Sequence, residues 1–201
     1  MPLAILRITI MVLLIILAAN NYQMPFQSTI LIIPGLGNSG PQHWQSIWEN
    51  TYHFTRVEQN DWETPVCADW VANINAEVSK YQPENVILVG HSLACATIAY
   101  WAQKYGTRIK GALLVAPSDT EADSYPSGTS GFAPVPLHQL PFSSITVIST
   151  NDFYVSLARA RQFAEAWGSE PVNIGDAGHI NSASGLGGWD AGLELLKKLD
   201  H

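Results

Sequence analysis

Cysteine is scarce in this chain: two in 201 residues, Cys67 and Cys95. Neither number nor spacing supports a disulfide framework or a metal-ligand set, so the fold must close on an apolar core alone. Cys67 falls near the start of a predicted helix and Cys95 in the turn after a strand, where small packing residues belong. Charge is scarce as well. Only 13% of residues are charged, and ten Lys and Arg stand against seventeen Asp and Glu, for a formal net charge of −7. A nucleic-acid partner demands a basic face, so that class is excluded. No Cys/His cluster points to a metal, and internal repeats and low-complexity tracts are lacking. A Gly-rich loop follows the first strand, but no Walker lysine and no G-x-G-x-x-G spacing accompany it, which leaves a nucleotide reading weak.

What the chain does contain is apolar sequence in short runs. Hydrophobic residues make up 47%, enough at this length for one domain with a sizeable core. Continuous apolar runs suit strands buried on both faces. They fall near 29–33, 54–58, 86–90, 109–116, 144–149 and 171–174, with helical patterns near 41–50, 65–81, 92–105, 155–167 and 188–199. Such alternation implies an α/β architecture, a mostly parallel sheet covered by helices, with ligands beyond the carboxyl ends of its strands.

One run ends in a chemical signal. Val86-Ile87-Leu88-Val89 leads into Gly90-His91-Ser92-Leu93-Ala94 and then at once into a helical pattern. Small residues two positions either side of a serine allow a sharp strand-to-helix elbow with the hydroxyl exposed at its tip. A serine hydroxyl needs a base, and the base needs a third group to hold its tautomer. Both follow in order, each after a later strand: Asp152 beyond Ser144–Ser149, and His179 beyond Pro171–Ile174. Ser92, Asp152 and His179 are therefore the expected catalytic residues. Asp119, after the preceding strand, and Asp176, three residues before His179, compete for the acid's place. Among the other histidines, His91 is expected to face away from the serine by strand alternation, and His43 lies in the first loop as a pocket-lining candidate. Only His179 occupies a Gly-flanked loop after the last strand.

Acyl transfer also needs donors aimed at the developing oxyanion. The backbone N–H of Leu93 is one expected donor, and that of Leu36, in the loop Pro34-Gly35-Leu36-Gly37, is the other. The connection from Pro117 to Phe142 carries Tyr125, Phe132 and Leu137. It is long enough to wall an open site yet too short for a cap domain. Trp44, His43 and Phe132 are the expected substrate-pocket residues. The rival reading of the loop is a cover for a sheet edge.

The combination of Ile33-Pro34-Gly35-Leu36-Gly37-Asn38-Ser39-Gly40-Pro41-Gln42-His43-Trp44-Gln45, Gly90-His91-Ser92-Leu93-Ala94, Ala116-Pro117-Ser118-Asp119 and Ala177-Gly178-His179-Ile180-Asn181-Ser182-Ala183-Ser184-Gly185 resembles the small serine hydrolases related to retinoblastoma-binding protein 9. The resemblance runs from about Thr29 to Leu199. It implies a compact, lid-poor α/β-hydrolase fold with a triad on Ser92, Asp152 and His179; the reaction such a triad runs is expected to need no cofactor. Two departures stand out: Asp152-Phe153 and Trp189-Asp190 replace the family's frequent Asp-Pro and Trp-Pro.

The reaction class these residues suggest is hydrolysis of carboxylic ester, thioester or amide bonds in a small-molecule or acylated substrate. A hydrolase-fold interaction module with little or no catalysis is the alternative, since fold does not establish function. Residues 1–23 form an apolar segment, with Ile8 to Ala19 uninterrupted but for Thr9 and Arg7 just ahead. Signal peptide, membrane anchor and a true start at Met24 are the three readings of it. The expectation is a cytoplasmic enzyme comprising 24–201, with membrane tethering or export as the alternative.

Overall fold

Six strands run parallel in the order β2-β1-β3-β4-β5-β6: β1 (Thr29–Ile33), β2 (Thr55–Arg56), β3 (Val86–His91), β4 (Gly111–Val115), β5 (Ser143–Ile148) and β6 (Glu170–Asn173). The computed structural model describes residues 26–201, so the apolar segment 1–23 lies outside the described residues. Among the described residues four helices connect strands, α1 (Trp44–Tyr52), α2 (Cys67–Val78), α3 (Leu93–Tyr105) and α4 (Leu157–Trp167), and a fifth, α5 (Asp190–Asp200), follows β6. The order reverses at β1/β3, the point where an open α/β sheet leaves a crevice at its carboxyl edge.

Alternation within each strand divides the core in two. Leu31, Ile33, Val86, Leu88, Ala112 and Leu114 face α2, α3 and α4. Their neighbours Ile30, Ile32, Ile87, Val89, Leu113 and Val115 face α1 and α5. Both faces are covered, which is why the strands read as unbroken apolar runs. Trp48 stacks on Trp189 at 5.8 Å between ring centroids, with Trp44 edge-on to both. The last helix is tied to the first strand through buried Asp200, whose carboxylate accepts the Gln27 and Ser28 N–H groups at 2.6 and 2.9 Å.

Element ends shift from the sequence expectation where a cap or a bridge intervenes. Helix α1 starts at Trp44 because His43, in extended conformation, caps it through Nδ1. Helix α2 starts at Cys67 because Val66 still bridges Ser130. Strand β2 keeps two paired residues of the five expected. Among the described residues no helix is long and apolar enough to cross a membrane.

Candidate active site

Ser92 sits at the tip of the β3–α3 elbow with φ 58° and ψ −121°. That conformation is costly for a side-chain-bearing residue and persists only where its surroundings impose it. Here the Ser92 N–H donates to the Val115 carbonyl at 2.9 Å, and the Ser92 carbonyl accepts from the Cys95 N–H at 3.0 Å. Gly90 lets Ile98 pack close below the elbow, since a Cβ there would stand 2.6 Å from Ile98 Cδ1 and force that side chain to shift. Ala94 is fully buried.

Asp152 and His179 come to the same edge from the ends of β5 and β6. Both Asp152 carboxylate oxygens lie at hydrogen-bond distance from His179 Nδ1, at 3.0 and 2.9 Å, and His179 Nε2 lies 2.8 Å from Ser92 Oγ. The Asp152 side chain is fully buried and also accepts the Tyr154 N–H at 2.8 Å. The network assigns the neutral tautomer: Nδ1–H donates to the carboxylate and Nε2 accepts from the serine. Asp119, a rival for the acid's place, is committed elsewhere: its carboxylate faces Arg159 Nε at 3.4 Å.

The loop carrying His179 is braced at each step. Asn151 Oδ1 accepts the Gly178 N–H at 2.7 Å. His91 Nε2–H donates to the His179 carbonyl at 2.9 Å. Trp44 Nε1–H donates to the Ile180 carbonyl at 2.8 Å. Asn181 and Ser184 close a reciprocal capping box on the 3₁₀ turn that follows. His91, expected to face away from the serine, packs its ring 4.9 Å from that of His179 and lines the same cavity. Burial, then the repulsion that a protonated His179 would add, holds His91 well below the usual imidazole range, so it is neutral.

A cavity of about 360 Å³ opens over Ser92. Leu36, His43, Tyr125, Tyr154 and Asn181 are among its walls. His43 was expected there. Trp44, expected in the pocket too, lies instead in the core behind the His179 loop and is 1% exposed. Phe132, also expected in the pocket, is 2% exposed and packs edge-on against Trp70 at 5.8 Å. Both large rings bury more apolar area in the core than a wet cavity would allow. The long connection thus does two things, plugging the core with Phe132 and walling the cavity with Tyr125 and Pro126. Among the described residues neither the Leu36 nor the Leu93 N–H donates a hydrogen bond, and Leu93 opens α3, whose N-terminus favours negative charge. His43 Nδ1 accepts the Gln45 N–H at 3.2 Å, whereas its Nε2, like the Tyr125 hydroxyl, is buried without a partner.

One contact escaped the sequence reading: Ser118 Oγ lies 2.7 Å from Ser92 Oγ. Only its place in Ala116-Pro117-Ser118-Asp119 marked it. Both departures from the expected pattern, Phe153 and Asp190, fall on exposed residues. Asp190 occupies the first turn of α5, where an acid suits the helix dipole as proline suits the fixed φ. Phe153 is 78% exposed and leaves the Tyr154 N–H in place. The cysteines are packing residues: burial pushes the Cys67 thiol up to about 12 and Cys95 higher still.

Comparison with known proteins agrees with this geometry. A solved YdeN-like hydrolase from Pectobacterium atrosepticum is 35% identical, with 87% of this chain and 91% of that chain covered and a TM-score of 0.76. The ydeN gene product of B. subtilis is 18% identical over 86% of this chain and 98% of its own, TM-score 0.65. Est1E from Butyrivibrio proteoclasticus, solved with ferulic acid, is 13% identical over 89% and 92%, TM-score 0.67. These place the chain in the α/β-hydrolase fold. No curated protein matches it in sequence. The family model described as serine hydrolase matches residues 30–198, and with the hydroxyl, imidazole and carboxylate in line at the sheet's carboxyl edge, the chain belongs to the serine hydrolase family.

Proposed function

We propose that this hydrolase cleaves carboxylic ester, thioester or amide bonds through an acyl-enzyme on Ser92. The observation that carries the reading is the unbroken line from Ser92 Oγ to His179 Nε2, at 2.8 Å, and from His179 Nδ1 to the Asp152 carboxylate, at 2.9 and 3.0 Å. His179 takes the Ser92 proton as Oγ attacks the acyl carbon, then gives it to the leaving group. Asp152 keeps the imidazole in the right tautomer and offsets the imidazolium charge. The Leu36 and Leu93 N–H groups hold the oxyanion. Water then repeats the sequence on the acyl-enzyme. No cofactor enters this scheme.

The cavity volume suits a compact acyl group. The partner is thus a small-molecule or acylated substrate and not a nucleic acid. The closer affiliation, to the hydrolases related to retinoblastoma-binding protein 9, rests on the Pro34–Gln45 loop and the Gly178-His179-Ile180-Asn181 box. A cytoplasmic location belongs to the same reading; expression from Met1 and from Met24, followed by membrane fractionation, tests it.

Labelling by a fluorophosphonate probe, alongside turnover of p-nitrophenyl acetate and butyrate, tests the chemistry. Wild type should label and turn over, and Ser92→Ala should lose both by orders of magnitude. Failure of well-folded wild type to label would discard the acyl-enzyme and favour an interaction module on the same fold.

A further inference from the structure

Ser118 stands beside the nucleophile because the chain is forced there. Strand β4 ends at Val115, and the next residue, Ala116, is fully buried with φ +49°. A left-handed alanine in the core is strained, and a neighbouring bond holds it: the Ala116 N–H donates to the Val147 carbonyl at 2.8 Å. The turn carries the chain back over the end of β3. On the far side, the Asp119 N–H donates to the Tyr154 carbonyl at 3.0 Å, and the Asp119 carboxylate meets Arg159. Ser118, 2% exposed, is clamped between these anchors with Oγ 2.7 Å from Ser92 Oγ.

A proton count sets the direction of that bond. His179 Nδ1–H donates to Asp152, so Nε2 carries a lone pair and must accept from Ser92. Ser92 has one hydroxyl proton, and it is spent on His179. The 2.7 Å contact therefore needs the Ser118 proton, and Ser118 is the donor.

We infer that Ser118 is a further catalytic residue, whose hydroxyl donates to Ser92 Oγ and stabilises the negative charge gathered there as the acyl–oxygen bond forms and breaks. The inference rests on Ser92 being the nucleophile. In deacylation, water attacks the acyl carbon and yields a proton to His179 Nε2. The tetrahedral intermediate then collapses: the bond from the acyl carbon to Oγ breaks, its electron pair goes to Oγ, and Oγ takes the proton from Nε2. The products are the free acid and Ser92 restored. Ser118 keeps its proton throughout. Its bond to Oγ strengthens as charge builds there, because hydrogen bonds to charged oxygen are stronger than those to neutral oxygen. An interaction that grows in the transition state raises turnover rather than substrate binding.

Steady-state hydrolysis of p-nitrophenyl acetate by wild type, Ser118→Ala and Ser118→Thr tests this, with fluorophosphonate titration to count competent serines and thermal melting to check folding. Ser118→Ala should keep about one titratable serine per chain and a KM within about twofold, while kcat falls about 10- to 100-fold, at or below the loss for an oxyanion-hole donor. Ser118→Thr, which keeps a hydroxyl, should recover most of that loss. Wild-type kcat in Ser118→Ala, or a loss confined to KM or to the number of titratable serines, would overturn the role. Wild type that fails to titrate would overturn the nucleophile itself and Ser118 with it, a distinct result.

Discussion

Gly35 faces Ser92 across a gap that admits no side chain: a Cβ at position 35 would stand 2.8 Å from Ser92 Cβ and 2.9 Å from the His91 carbonyl oxygen. The loop after β1 can lie this close to the elbow only with glycine there. Gly35→Ala must push either the Leu36 amide or Ser92 aside. Overpacking of this kind costs about 1–3 kcal/mol, and a displaced oxyanion donor costs roughly 10²–10³-fold in kcat. Ester turnover and denaturant midpoints of Gly35→Ala measure both; an unchanged kcat would place the oxyanion donors elsewhere.

Asp152 and Asp119 separate under substitution. Asp152→Asn leaves the shape but offers Nδ1 a donor in place of an acceptor, and turnover should drop about 10⁴-fold. Asp119→Asn weakens a partly exposed pairing with Arg159, of the kind worth about 1 kcal/mol or less, and turnover should stay within about tenfold. Equal losses in the two variants would return Asp119 to the triad.

His43 makes the protein sensitive to acid. Burial, followed by the charges of His179 and Arg56, lowers its pKa from 6.5 to about 4. The unfolded chain binds that proton below about pH 6.5, whereas the folded chain resists it until about pH 4. Stability is therefore greatest above the upper value and falls as pH drops through the window, by about 3 kcal/mol for this residue. His91, lowered for the same first reason, adds to the slope. His43→Asn keeps a side-chain oxygen to cap α1 and removes the titration. Urea unfolding at several pH values between 7 and 4 should show a flatter acid limb for this variant than for wild type.

Trp44 acts on the site from behind. Trp44→Phe keeps most of the ring contacts with Trp48 and Trp189 but leaves the buried Ile180 carbonyl without its 2.8 Å donor. A loss of about 1–3 kcal/mol in stability is expected, with turnover reduced as the His179 loop loosens. Denaturation and ester kinetics on the same samples link the two effects.

The alternation of strands and helices was legible because each apolar run is short and bounded by turn residues, and the elbow because Gly90, Ser92 and Ala94 are close neighbours in sequence. Helix ends were less so: His43 caps α1 with an imidazole nitrogen, which no capping preference anticipates, and Val66 spends its backbone on a bridge to Ser130. The choice between Asp119 and Asp152 was only ranked by the sequence. In the fold, Arg159 draws Asp119 away while Tyr154 and His179 converge on Asp152.

Trp44 and Phe132 show the limit of reading a loop as a wall. An aromatic residue near a functional loop can face the cavity or the core, and the pattern of its neighbours is the same in both cases. Packing against Trp48 and Trp189, or against Trp70, decides it.

By itself the sequence determined the fold class, the order of serine, acid and histidine, and the edge of the sheet where they meet, because all of these depend on local spacing and on which strand precedes which loop. Only the tertiary structure decided which acid meets the imidazole, that His91 and Trp44 brace the His179 loop, and that Ser118 stands beside Ser92. Those contacts join residues far apart in the chain, 26 positions for the two serines and 136 for Trp44 and Ile180. Parallel strand ends and strained turns bring them together, and no local pattern encodes such meetings.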